Sequence, residues 1–248
     1  MLEGVKTLTK SLFRLCGLDV RRRPRFEPYD WLKGRNIQTV FDIGANVGQF
    51  ARQIHRVLPD AMLYSFEPLE DCYNELLKKM GHLPRFRAFN FALGDRNGQA
   101  EIYRNDYTPS SSLLPMEELH KQAFPFTTHA TAQNTEIRRL DDVSQQLDIA
   151  DNVLVKIDVQ GTEDKVILGG EKLLSRASVL IVETTFEPLY NGQPLFDQIY
   201  DLLRQRGFAY MGTEDIMRNP NDGTVLQCDS LFVRPVNRRN PIKGNAVE

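Results

Sequence analysis

Apolar and polar positions follow two alternating rhythms along this chain: short apolar runs, then stretches in which apolar residues recur every three or four positions. The run Val40-Phe41-Asp42-Ile43 leads into Gly44-Ala45-Asn46-Val47-Gly48, after which Phe50, Ile54, Val57 and Leu58 keep helical spacing until Pro59. The pattern predicts a strand, a glycine turn and a helix. The unit then repeats. Met62 to Glu67 reads as a strand, and Cys72, Tyr73, Leu76, Leu77 and Met80 as the inner face of a helix closed by Gly81. Phe86 to Leu93 reads as a third strand, with the Asn97-Gly98 turn folding Ala100 to Tyr103 back as a hairpin arm.

Residues 104–133 interrupt the rhythm with Ser, Thr and Pro, and they hold two of the four histidines, His120 and His129. A segment of this length is expected to be a lid, a binding loop or disordered. Thr135 to Leu140 is expected as a short strand and Asp141 to Leu147 as a short helix. Val153 to Asp158 is a buried-type strand, followed by Gly161 and a helix carrying Val166, Ile167, Leu173 and Leu174. Val179 to Val182 is the next strand and ends on Glu183. A helix with Phe196, Ile199, Tyr200, Leu202 and Leu203 closes at Gly207. Phe208 to Met211 and Ser230 to Val233 then pair around Asn221-Asp222-Gly223. Strands alternating with helices imply an α/β fold, a doubly wound, mostly parallel sheet of Rossmann-like type with an antiparallel edge strand.

At 248 residues the chain is expected to hold one main domain. The reading is an N-terminal helical extension over 1–36, a domain over 37–236 with a variable segment at about 104–135, and a polar tail over 237–248. Lys and Arg number 31 against 33 Asp and Glu, a net charge of −2, which gives no global positive field for nucleic acid. Cys16, Cys72 and Cys228 lie far apart, without zinc-ligand or disulfide-framework spacing. No run reaches the roughly 20 apolar residues of a membrane span, and no signal-peptide stretch is present. A cytoplasmic protein is the expectation. Leu2, Val5, Leu8, Leu12, Phe13 and Leu15 form an apolar stripe with Lys6, Lys10 and Arg14 between them. That stripe suits a helix packed on the domain edge or, alternatively, peripheral contact with a membrane surface or partner.

The candidate chemistry comes from where the acids fall. Asp42, Glu67, Asp158 and Glu183 each stand at the carboxyl end of an expected strand, where ligands bind in open α/β sheets. One such acid is often a helix cap, but four at equivalent places point to a site. A dinucleotide fingerprint starting at Gly44 would need glycines where Asn46 and Gln49 stand, and no GxxxxGK[ST] occurs. An adenosine cofactor without phosphates fits best, namely S-adenosylmethionine. Gly44 and Gly48 would lie against its methionine part, Glu67 would hold the ribose, and Asn90 to Asp95 would border the adenine.

At this point the chain resembles the FkbM family of S-adenosylmethionine-dependent methyltransferases, over roughly Val40 to Val233. The resemblance is carried by Phe41 to Gly48, Phe66-Glu67-Pro68, Asn90 to Asp95, Ser111-Ser112-Leu113, Leu140-Asp141 and above all Val155-Lys156-Ile157-Asp158-Val159-Gln160-Gly161-Thr162-Glu163. Gln160 departs from the Glu that the family usually has there. The resemblance implies a class I methyltransferase domain and methyl transfer to a hydroxyl of a sugar, glycan or related natural product. The cofactor-binding set is then Asp42, Gly44, Ala45, Asn46, Gly48, Glu67, Pro68, Asn90 and Ala92. Asp158 is the first candidate for the base or acceptor-orienting group and Glu183 the second, with Lys156 on the same strand face able to pair with Asp158. His120 and His129 are further candidates for the base. Asp158 and Glu183 would make only two Mg²⁺ ligands, and no metal is expected. Two rival readings keep the fold: an NAD-dependent oxidoreductase, and a non-catalytic binding module using residues 104–133.

Overall fold

The computed structural model describes residues 28–235. The N-terminal apolar stripe, Cys16 and the polar tail lie outside the described residues. Of two compact units, Met1–Asp30 and Trp31–Glu248, the second carries every strand and α-helix named below.

The central sheet has seven strands: β1 (Thr39–Ile43), β2 (Met62–Phe66), β3 (Phe86–Phe89), β7 (Val153–Ile157), β8 (Ala177–Thr185), β9 (Ala209–Arg218) and β10 (Val225–Val233). They lie in the order β3-β2-β1-β7-β8-β10-β9. All pairings among β3, β2, β1, β7 and β8 are parallel, and β10 runs antiparallel to both β8 and β9. The doubly wound sheet with an antiparallel edge is therefore present. β1 and β7 are buried along their whole length, which explains their apolar runs on both faces. On one face Phe41, Ile43, Tyr64, Phe66, Val155, Ile157, Leu180 and Val182 form the main core with α4 (Leu140–Ser144), α5 (Glu163–Gly169), α6 (Glu171–Arg176) and α7 (Phe196–Gln205). The remaining helices are α1 (Gln49–Val57), α2 (Glu70–Met80) and the short α3 (Glu118–Ala123).

The structure revises the expected elements in five places. The third strand splits at Asn90 into β3 and a separate β4 (Ala92–Gly94), because the Asn90 side chain donates to the carbonyls of Glu67 and Pro68 and turns the chain away. The expected hairpin arm does not pair with the strand before it. β5 (Gly98–Asn105) instead pairs antiparallel with β6 (Ala130–Arg139), which lies between β5 and β4 in a second, three-stranded sheet. The short strand expected over Thr135 to Leu140 is only the last part of β6. The helix expected after Gly161 is two short helices, meeting at Gly169 and Gly170. A Cβ on Gly169 would lie 1.8 Å from the Gly94 carbonyl, so close packing of α5 on β4 dictates glycine there. Glu183 is not at a strand end: β8 continues to Thr185 because β10 pairs alongside, Asp229 opposite Glu183.

Residues 104–133 are tied to the domain along much of their length. Tyr103 and Ser112 exchange backbone hydrogen bonds, the Glu117 N–H donates to Leu189, and the Asn191 N–H donates to Pro115. Buried Asn105 fixes the return of the segment by donating to the Thr127 carbonyl at 2.5 Å and accepting from the Tyr107 N–H.

Candidate active site

The first strand–helix junction is made by backbone. Gly44 has φ +80°, and a Cβ there would lie 1.7 Å from the Asp158 carbonyl, so the turn after β1 presses directly on the end of β7. The Gly44 and Ala45 N–H groups both donate to the Phe66 carbonyl. Asn46 also has positive φ, +46°; its N–H donates to Glu67 Oε2 at 2.7 Å, and its side chain both accepts from the Val47 N–H and donates to Thr108 Oγ1. Glu67 Oε1 accepts from the Leu69 N–H at 2.9 Å. Burial pushes Glu67 up to about 7, partly offset by those two N–H donors. Gly48, φ +87°, packs against Leu76 so closely that a Cβ would lie 2.8 Å from Leu76 Cδ1. Asn90 and Pro68 adjoin this turn through the Asn90 amide, and Ala92 is buried in β4.

A second set of groups lies on the sheet face opposite the main core. Strand register places Ser65, Asp42 and Lys156 side by side across β2, β1 and β7. Asp42 is completely buried; its Oδ2 accepts from Ser65 Oγ at 3.2 Å, and its Oδ1 has no hydrogen-bond partner. Burial raises Asp42 to about 6, against the pull of Lys156. Lys156 Nζ reaches Asp158 Oδ2 at 2.8 Å, with the lysine side chain 8% and the aspartate side chain 28% exposed. Burial opposes the Lys156 charge, but Asp158, Asp42 and Asp229 outweigh it and raise the ammonium pKa. Burial likewise works against the Asp158 carboxylate, and the Lys156 ammonium with the neighbouring donors still holds it below the usual range.

Gln160 Nε2 joins Asp158 Oδ1 at 2.9 Å to Glu183 Oε2 at 2.6 Å, and Gln227 Nε2 donates to Glu183 Oε1 at 2.5 Å. Glu183 is held well above the usual carboxylate range by burial, then by Asp158, Glu163 and Asp229 nearby. The two expected acids are thus brought together although Glu183 lies inside its strand, and Lys156 pairs with Asp158. Glu67 stays at the glycine turn. Asp229, Gln227 and Tyr190 have no local mark in the sequence; they arrive through β10 and the loop after β8.

The two histidines separate. His129 is exposed and pairs with Asp106 at 2.9 Å. His120 is buried against the rings of Phe124 and Tyr190, with Nδ1 unpartnered, and burial pushes it down to about 4. It belongs to the small core formed by residues 104–133 with Leu189, Tyr190 and Leu226. Beyond it Phe124 meets Phe126, and Phe126 meets Tyr107 edge-on at 5.3 Å; Tyr107 and Phe126 are 49% and 63% exposed. An open cleft lined by Gln38, Tyr64, Arg85 and Arg87, among others, lies at the amino ends of β1 to β3, the opposite end of the sheet from the acids. Among the described residues no group of three or more His, Cys, Asp and Glu is placed to hold a metal ion.

The turn fits S-adenosylmethionine. Asp42 Oδ1 beside it is a buried acceptor lacking a donor, the kind of partner an ammonium group takes, and Gly44 and Gly48 leave the two ends of the turn without side chains. Asn46, Glu67 and Asn90 border it.

The comparisons with known proteins agree. The Methyltransferase FkbM domain matches residues 42–210. The chain is 32% identical over 170 residues to the 2-O-methyltransferase NoeI of Sinorhizobium fredii, covering 66% of this chain and 70% of that one. It is 28% identical over 194 residues to the methyltransferase sdnD of Sordaria araneosa, covering 68% and 73%. Among solved structures, magnesium protoporphyrin IX methyltransferase of Synechocystis PCC 6803 with bound SAM is similar at a TM-score of 0.44 and 17% identity, covering 93% of this chain and 97% of that one. The oxidoreductase and binding-module readings find no support among these relatives. With its glycine turn, its β2 carboxylate and the Asp158 block all inside the matched span, the chain belongs to the FkbM family of S-adenosylmethionine-dependent methyltransferases.

Proposed function

We propose that the protein transfers a methyl group to a hydroxyl of a sugar or sugar-bearing acceptor, with Asp158 and Glu183 as the catalytic acids. The observation that carries this reading is the joined pair itself, two carboxylates of opposite tuning held 2.9 and 2.6 Å from one amide nitrogen. S-adenosylmethionine, when bound, supplies an electrophilic methyl on a sulfonium sulfur. Asp42, Asn46, Gly48 and Glu67 hold it, with Gly44, Ala45, Pro68, Asn90 and Ala92 shaping the surround.

A hydroxyl acceptor must lose its proton as the C–O bond forms, and a base works best when its pKa lies near the working pH. Glu183, raised by burial and like-charged neighbours, has the higher proton affinity and is assigned as the proton acceptor. Asp158, kept ionised by Lys156, is assigned to orient the acceptor hydroxyl by accepting its hydrogen bond. Sequence alone favours Asp158 as base, because the burial of Glu183 among Asp158, Glu163 and Asp229 is not visible there. His120, buried and unprotonated in the small core, is assigned no proton transfer.

The acceptor surface is assigned to Tyr107 and Phe126. They continue, through Phe124, His120 and Tyr190, a line of ring contacts leading to Gln160 and the acids, while Thr108 connects the same segment to Asn46. Exposed rings beside the Asp106–His129 pair suit the C–H face and hydroxyls of a sugar. The 2-O-methyltransferase relative agrees with oxygen as the acceptor atom. Two free, buried cysteines, Cys72 and Cys228, fit a cytoplasmic setting, and among the described residues no helix is long and apolar enough to cross a membrane. Incubation with methyl-labelled cofactor and a glycan fraction tests the proposal: label in an alkali-stable methyl ether is expected. Label released as methanol by mild alkali would mean esterification of a carboxylate and would overturn it.

A further inference from the structure

Gln160 has φ +56° and precedes Gly161 at φ +108°, so the chain after β7 turns back and sets the Gln160 side chain beside Asp158. Each polar atom of its carboxamide is engaged. Nε2 donates to Asp158 and Glu183, and Oε1 accepts from the Tyr190 hydroxyl at 2.8 Å. The same hydroxyl lies 3.1 Å from the Ser110 carbonyl, and Ser112 Oγ donates to the Gln160 carbonyl at 2.5 Å. Tyr190 is buried and bridges Met116 through its backbone. One side chain therefore touches both acids and is anchored to residues 104–133.

We infer that Gln160 is a positioning residue: its carboxamide clamps Asp158 and Glu183 together and, through Tyr190, ties their placement to the seating of residues 104–133. The inference rests on the assignment of these acids to methyl transfer. An amide suits the position because it donates to both acids and accepts from the phenol at every pH at which the fold persists. A carboxylate there would accept from Tyr190 but add a negative charge beside Asp158 and Glu183. The charged and titratable groups facing the pair are Lys156 from β7, Glu163 from the start of α5, Asp229 from β10, Asp42 from β1 and the Tyr190 phenol. Lys156 is engaged with Asp158, so the Glu183 carboxylate depends on the neutral donors Gln160 and Gln227.

Carboxyl-carbon NMR titration of the intact protein, of Gln160→Glu and of Tyr190→Phe tests this without an acceptor. In Gln160→Glu the Glu183 midpoint is expected to rise by about one pH unit, tenfold in proton affinity. In Tyr190→Phe it is expected to rise by less, since the amide loses its anchor and one donor to Glu183 weakens. Unchanged calorimetric affinity for S-adenosylmethionine shows that both variants are folded and that only the clamp has changed. Glu183 titrations superimposable on wild type in both variants would overturn the inference, and if Gln160→Glu does not fold, the Tyr190→Phe curve decides alone. Failure of the wild-type protein to bind the cofactor would strike the methyl-transfer reading instead and leave the titration result standing.

Discussion

The glycine turn after β1 and the acid pair at the end of β7 lie against each other, yet they are built by different means. The turn is made of neighbours in sequence: backbone N–H groups, positive-φ residues and one glutamate from the next strand. The acid pair is made of side chains from β7, β8 and β10 and from the loop that carries Tyr190. A site made of backbone tolerates side-chain changes but not added volume. A site made of side chains tolerates volume but not a change of charge or of hydrogen-bonding type.

The largest effect is expected where the two meet. Gly44→Ala would drive a Cβ to 1.7 Å from the Asp158 carbonyl at a φ that disfavours side chains. A loss of roughly 4 kcal/mol or more, or failure to fold, is expected and is read by chemical denaturation. Glu183→Gln removes the group proposed as proton acceptor while keeping the shape, and should lower the methyl-transfer rate by about 10²–10⁴-fold with cofactor affinity preserved. An undiminished rate would remove Glu183 from the mechanism. In the wild type the rate should climb as pH rises and Glu183 ionises, because its pKa is raised in the fold; a rate falling over that range would contradict the assignment.

Legibility in the sequence follows the same division. The strand, glycine turn and Glu67 can be read because period, turn chemistry and strand-end position are local signals. The Asp158–Lys156 pairing is legible through the two-residue period of a strand. Glu183 is reached for an imperfect reason, since β8 runs past it. The Gln227 hydrogen bond is invisible because β10 returns antiparallel from more than forty residues away, and the Tyr190 one because that residue reaches Gln160 from the loop after β8; no local pattern encodes either. The second sheet is hidden for a similar reason: the Asn97-Gly98 turn announces a hairpin, but Asn97 accepts from the Arg139 N–H and β6 enters between the two strands.

Smaller effects sharpen the contrast. Glu67 has its pKa raised from 4.5 to about 7 by burial, so the folded protein binds its proton more tightly than the unfolded chain does. Its contribution is complete below about pH 4.5 and is lost as pH rises towards 7, up to on the order of 3 kcal/mol. Denaturation in the absence of cofactor should therefore show stability falling over that range, and Glu67→Gln should flatten the fall; an identical slope would mean Glu67 is not the group responsible. The smallest change is expected at the rim. Tyr107→Ala and Phe126→Ala should raise the acceptor KM several-fold, about 0.5–1.5 kcal/mol for each aromatic ring removed, with stability and cofactor affinity unaltered. An unchanged KM would move the acceptor elsewhere.

The central claim is that the turn holds the methyl donor while the acid pair works on the acceptor. Calorimetric titration of S-adenosylmethionine into the wild-type protein and into Glu183→Gln tests it most directly. The account predicts binding in both, with matching affinities. No binding by the intact protein at cofactor concentrations well above micromolar, or an affinity that collapses with Glu183, would contradict it.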